Sequence, residues 1–161
     1  MKPVLVATDG SPTAEKALVT AIDLAKLLDT ELVVVTAWDI PYPIVGFAPA
    51  VVNGELAKPC EDDARKAAFD AAARAEEAGV EARAVVLRGF PVEEICAAAE
   101  KYAPRFLVIG SHGWGPVKRA LFGSVSTGVL HHAPCPVVVV PATEVAAENG
   151  KVPAEKAHAS R

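Results

Sequence analysis

Short unbroken runs of aliphatic and β-branched residues alternate along this chain with alanine-rich stretches whose apolar positions recur every three or four residues. A brief, continuous apolar run marks a strand covered on both faces, whereas the helical period marks a segment with one buried stripe. Residues 4–7 form the first such strand, which stops at the turn signal Thr8-Asp9-Gly10. Ser11-Pro12 predicts a helix start, with serine as cap and proline in the first turn. Ala14, Ala17, Leu18, Ala21, Ala25 and Leu28 then carry one apolar face, and the helix ends near Leu28.

The same alternation continues to residue 140. Residues 31–37 read as a second buried strand, followed by an irregular stretch from Trp38 to Pro59 that holds prolines 41, 43, 49 and 59. Glu61, Asp62 and Asp63 are expected to open the next helix, which runs to Gly79. Residues 80–87 make a third strand; Glu81 and Arg83 on one alternating face suit a sheet edge. Pro91 opens a helix to about Tyr102, with Glu93 and Glu94 in its first turn. Residues 106–109 are a fourth strand halted at Gly110, a short helix runs from Gly123-Ser124 to about His132, and residues 137–140 are a fifth strand.

This β-α-β-α-β-α-β-α-β order, without internal repeats, predicts an α/β fold: a parallel sheet with helices on both faces and right-handed crossovers. In such sheets ligands bind beyond the C-terminal ends of the strands, where the strand order reverses. Chemistry is therefore expected at Thr8-Asp9, at Ala37-Trp38 and in the loop after Ile109.

Length and composition narrow the picture. At 161 residues the chain suits one domain, taken as residues 1–142, with residues 143–161 as a flexible tail whose three acids and three bases cancel. Apolar types at 52% and charged types at 22% exclude a disordered chain. The formal net charge of −4 argues against nucleic acid as a partner. Cys60, Cys96 and Cys135 form neither a CxxC pair nor a zinc-spaced cluster, which suits a reducing compartment, and the cytoplasm is the expected location. No apolar run is long enough to span a membrane, and the first one stops at Asp9, so neither membrane insertion nor a signal peptide is expected.

The segment from Gly110 to Ser126 carries the strongest chemical signal. Its glycines allow close backbone approach, and free N–H groups ahead of a helix form a cradle for phosphate oxygens. Ser124 and Ser126 add hydroxyls, and Lys118 and Arg119 add positive charge. The pattern is neither GxxxxGK[ST] nor a dinucleotide fingerprint, because the third glycine of Gly113-x-Gly115 is replaced by Lys118. On residues alone, two readings stand: an anion cradle, or a plain strand-to-helix connection whose glycines serve turns.

The spacing Gly110-x2-Gly113-x9-Gly123-Ser124, continued by Val125-Ser126 and by His132-Ala133-Pro134-Cys135-Pro136-Val137, resembles the signature of the universal stress protein family. Thr8-Asp9-Gly10-Ser11 is similar to that family's first strand and turn, and the likeness covers roughly residues 2–141. It implies a five-stranded parallel sheet in order 3-2-1-4-5, of the adenine nucleotide α-hydrolase-like, Rossmann-like kind. The full glycine spacing resembles the ATP-binding type, which implies ATP with Mg2+ as ligand. Carried over by position, Thr8 and Asp9 would lie by adenine and ribose, and Ala37 would touch the base through its backbone. Gly110, Ser111 and Gly113 would line the ribose and first phosphates, and Gly123, Ser124, Val125 and Ser126 the outer phosphates. Trp114 and Pro116 depart from the smaller residues common in that loop. The resemblance also implies a homodimer paired through residues 137–140, Val137, Val138, Val139 and Val140.

Other residues keep two readings each. Asp9 is a nucleotide or metal contact, or a turn carboxylate; His112 is a phosphate donor rather than a base. His131 and His132 suit a helix C-terminus. Trp38 packs on the adenine or covers the core, and the apolar residues of 42–52 close over the nucleotide or join the dimer contact. The sequence reads as a nucleotide-regulated protein acting on a downstream protein partner. A slow ATPase or phosphotransferase using His112, Ser124 or Ser126, and a nucleotide-free dimeric scaffold, are its rivals.

Overall fold

A computed structural model describes residues 1–39, 57–113 and 122–142. The elements follow in the order β1 (Val4–Ala7), α1 (Pro12–Leu28), β2 (Leu32–Trp38), α2 (Ala57–Glu77), β3 (Ala82–Arg88), α3 (Pro91–Tyr102), β4 (Phe106–Gly110), α4 (Ser124–His132) and β5 (Val137–Val140). All four strand pairings are parallel and the sheet order is β3-β2-β1-β4-β5. The fold expected from alternation and resemblance is the one observed, and β3 is indeed an edge strand.

Strand pleating divides the core into two layers. Val4, Val6, Leu32, Val34 and Val108 face α1 and α2, packing on Leu18, Ala21, Ala71 and Ala75. Leu5, Val33, Val35, Leu107 and Ile109 face the other way, onto Ile95, Ala98 and Val129 of α3 and α4. Coverage on both sides explains why the central strands are apolar at every position rather than at alternate ones. The alanine-rich faces of α1 and α2 let those helices sit close to the sheet.

Capping chemistry sets the helix ends. The Ser11 side chain accepts the Ala14 N–H at 3.2 Å, and Pro12 occupies the first turn of α1. That helix ends at Asp29, in the left-handed conformation (φ 50°) with its N–H donating to the Ala25 and Lys26 carbonyls. Helix α3 ends likewise on Ala103 (φ 44°), a residue with no side-chain reason to adopt that geometry.

Several strand ends shift by one residue, and two boundaries differ from the sequence expectation by more, each for a physical reason. Helix α2 begins at Ala57, one turn before the acidic triad at 61–63. Pro59 lies in its first turn, where a missing N–H costs no intrahelical bond. Glu61 and Asp62 instead pair with Arg65 and Lys58 along the helix. Strand β3 begins at Ala82 rather than 80, because the Val80 N–H closes α2 on the Ala75 carbonyl across Gly79 (φ 84°). Of the stretch 38–59 expected to be irregular, Trp38 ends β2 and residues 57–59 open α2, while residues 40–56 and the tail at 143–161 lie outside the described residues.

Cys60, Cys96 and Cys135 carry free thiols, and burial pushes those of Cys96 and Cys135 up. Among the described residues no helix is long and apolar enough to cross a membrane.

Two substitutions test the capping analysis by chemical denaturation. Ser11→Ala removes the α1 cap and lowers stability by about 1 kcal/mol. Ala103→Gly relieves the left-handed strain and raises stability by about 0.5–1 kcal/mol, despite glycine's greater freedom in the unfolded chain.

Candidate functional site

Strands β1 and β4 are neighbours at the sheet centre, yet β1 connects onward to β2 on one side and β4 to β5 on the other. Their C-terminal ends therefore open into a crevice that no crossover covers. A cavity of about 510 Å³ lies there, within the usual size range of small-molecule sites. Ala7, Ala37, Ile95 and Ile109 give it an apolar wall, and Thr8, Asp9, Ser124 and Ser126 give it a polar one. A cavity of about 530 Å³ at the opposite end of the sheet is lined by the C-terminal turn of α3 and by the chain entering β5.

Three glycines shape the first cavity. A Cβ on Gly110 would sit 3.1 Å from the Thr13 carbonyl carbon and oxygen, so this glycine lets β4 end against the first turn of α1. A Cβ on Gly113 would collide with Asp9 Oδ2, whereas one on Gly123 would only touch the Ser111 carbonyl oxygen, at 3.4 Å. Gly110 and Gly113 are places where backbone approaches another part of the site. Asp9 itself holds the β1–α1 turn, its Oδ1 accepting the Ser11 N–H at 2.9 Å.

Helix α4 starts beside this cavity on Gly123, an N-cap with no side-chain hydrogen bond. The first-turn N–H groups of Ser124, Val125 and Ser126 have no acceptor within the helix, and all three residues line the cavity. These donors and the helix dipole favour an anion. The Ser126 hydroxyl is turned inward: its Oγ is 2.8 Å from the Ser111 carbonyl and 3.0 Å from that of Gly123. Ser126 thus offers the cavity its main-chain N–H rather than its hydroxyl.

Strand register exposes a second main-chain feature. Thr8 donates its N–H to the Val35 carbonyl at 2.9 Å as the last rung between β1 and β2. Leu32 and Trp38 bond toward β3, so β2 residues of odd number present their N–H and C=O toward β1. Ala37 is the next odd residue, and β1 has already ended at Ala7. Its donor and acceptor consequently face the crevice.

Of the ten residues expected to contact the nucleotide, the structure brings nine to this cavity; the tenth, Ser111, is 3% exposed and bonded behind it. His112 is at the wall. Trp38 takes a different place: pleat parity puts it on the α1–α2 face, and Arg88 of β3 lies 5.4 Å over its ring. His131 and His132 occupy the last turn of α4. Trp114, Pro116, Lys118, Arg119 and the stretch 42–52 lie outside the described residues. The sequence reading missed Pro91, Ile95 and Phe122, which line the cavity. The i, i+4 spacing of Pro91 and Ile95 at a helix start was visible, but nothing in the sequence says that this helix packs over β2 and against α4, which brings its start to the cavity.

The model of the universal stress protein family matches residues 1–141. A universal stress protein of Methanocaldococcus jannaschii is 35% identical over 140 residues, covering 86% of this chain and 81% of its own. Among solved structures, a universal stress protein family member from Burkholderia pseudomallei is 30% identical with a TM-score of 0.68, over 88% of this chain and 96% of that one. A universal stress protein solved in complex with cAMP is 26% identical with a TM-score of 0.60, over 86% and 96%. With the glycine spacing, the sheet order and the full-length match in agreement, the chain belongs to the universal stress protein family.

Proposed function

We propose that this protein binds an adenine nucleotide, ATP with Mg2+, in the crevice between β1 and β4, and that the nucleotide acts as a regulatory ligand. The observation that carries the reading is the convergence of the α4 N-terminus with the Ala37 main chain on one cavity. Adenine presents an acceptor at N1 beside a donor at its exocyclic amine, the complement of one strand residue's N–H and C=O. Guanine presents the reverse order on that edge. The N–H groups of Ser124, Val125 and Ser126 then receive phosphate oxygens, and Gly113 and Gly123 keep the cradle free of side-chain bulk. The solved relative holding cAMP supports an adenine ligand.

Asp9 is the carboxylate at the cavity wall suited to Mg2+, which typically takes one or two carboxylates together with phosphate oxygens and water. When bound, the ion would neutralise phosphate charge. Asp9 and Thr8 position the ribose side of the ligand. Binding shifts the population of the surrounding loops and so alters a surface read by a downstream protein partner. The three free thiols suit a cytoplasmic setting.

The same reading includes a homodimer. Strand β5 is an edge of four valines, half-buried in the single chain. Pro136 and Val140 turn their carbonyls to β4, so Val137 and Val139 direct their N–H and C=O outward. Antiparallel pairing with a second copy satisfies those groups under two-fold symmetry.

Titration calorimetry with magnesium ATP tests the first part. Saturable binding is expected, with GTP at least about tenfold weaker and Gly113→Val weaker by about tenfold or more. Absence of binding at millimolar ATP overturns it. Light scattering after chromatography tests the second part. Val139→Pro deletes an outward N–H without touching the β4 ladder, and is expected to yield a folded monomer. A dimer that survives this change excludes β5 pairing.

A further inference from the structure

Ser111 follows β4 and is almost fully buried, yet it lies outside the cavity wall. Four parts of the molecule meet on it. Its N–H donates to the Val140 carbonyl at 2.7 Å, extending the β4–β5 ladder by one rung. Its carbonyl accepts the Gly123 N–H at 2.7 Å and the Ser126 hydroxyl at 2.8 Å, fixing the start of α4. Its Oγ accepts the Ala142 N–H at 3.1 Å, just beyond β5. The same Oγ lies 3.1 Å from Nδ1 of His112, a residue of the cavity wall. Ala142 is held from the other side by Lys16, whose Nζ donates to its carbonyl at 2.7 Å.

A serine hydroxyl has one proton and two lone pairs. With one lone pair taken by the Ala142 N–H, the buried hydroxyl must still place its proton on an acceptor, and His112 Nδ1 is within reach. A proton donated to Nδ1 leaves the imidazole protonated on Nε2, a donor suited to an anion. The bond made by one ring nitrogen fixes the tautomer presented by the other.

We propose that Ser111 is a positioning residue for the anion cradle: through one hydroxyl it sets the His112 tautomer and ties the end of β5 to the loop that meets the ligand. This rests on the nucleotide reading above, and it assigns Ser111 no contact with the ligand. Because Ala142 and His112 share a single oxygen, ordering of the cradle tightens the bond at the end of β5, and loosening at β5 relaxes the cradle.

The experiment uses the full chain and three variants: Ser111→Ala, Ala142→Pro, which deletes the other partner of the bond well away from the cavity, and Lys16→Ala. Nitrogen-15 spectroscopy of the imidazole reads the tautomer, amide exchange at Ala142 reads the β5 end, and calorimetry reads magnesium ATP. In the native chain His112 is expected as the Nε2–H tautomer, and ATP is expected to slow exchange at Ala142. Ser111→Ala is expected to give mixed tautomers, to speed Ala142 exchange about tenfold, to abolish the ATP effect on it, and to weaken ATP several-fold. Ala142→Pro is expected to weaken ATP in the same direction while the Nε2–H tautomer persists. Lys16→Ala is expected to speed Ala142 exchange and leave the tautomer unchanged. An Nδ1–H tautomer in the native chain, or one unmoved by Ser111→Ala, overturns the proposal. So does Ala142 exchange indifferent to ATP in a chain that binds it. If the native chain binds no ATP, the nucleotide reading fails by itself, and the tautomer still decides the role of Ser111.

Discussion

The molecule depends on five strands running in the same direction, which carries every strand's C-terminal end to one rim. Parallel pairing requires each connection to cross a face of the sheet, and those crossings are the helices that bury it on both sides. The fully buried rows Val4–Ala7 and Leu32 to Val35 are the packing consequence. With the rim shared, the turn after β1, the extension of β2 and the loop after β4 lie within reach of one small molecule. The site is a product of direction and order before it is a product of any particular side chain.

Within that rim, differences in strand length matter as much as residue identity. β1 stops after four residues while β2 and β3 run for seven, which leaves Ala37 with main-chain groups and no β1 neighbour. An alanine there keeps the cavity open, since a larger side chain on that face would fill it. The glycines act by the same logic. Gly113 yields room to Asp9, and Gly110 to Thr13. The site is built from main chain drawn close together, with few side chains projecting into it.

Serine hydroxyls in this region hold the loop to its surroundings. Ser11 caps α1, Ser126 bonds the Ser111 carbonyl, and Ser111 bonds Ala142 and His112. Counting hydroxyls in a glycine-rich loop would assign them all to the ligand. Burial and the single proton of each group turn the Ser111 and Ser126 hydroxyls toward acceptors in the protein, while the first turn of α4 lines the cavity. One buried residue, Ser111, bonds both to the wall of the crevice and to the end of β5, so the two regions share structure as well as chain.

Much of this was legible without coordinates, because it rests on local rules. Uninterrupted apolar runs mark strands covered twice, Ser11-Pro12 announces α1, Pro91 announces α3, and the glycine spacing points to the loop after β4. Sequence periodicity also anticipated two-sided coverage, and Glu81 and Arg83 marked β3 as an edge. Other features depend on contacts between distant segments. Helix α2 begins at Ala57 because a proline is tolerated in a first turn, and Val80 belongs to that helix's closing turn by a bond to Ala75. Trp38 lies away from the cavity by pleat parity, and Pro91 and Ile95 reach it only because α3 packs over β2 and against α4. Local sequence determined which segments become strands and helices, since propensity, period and capping act within a few residues. Tertiary structure alone decided which atoms meet, since register and hydrogen-bond closure join residues as far apart as Ser111 and Ala142.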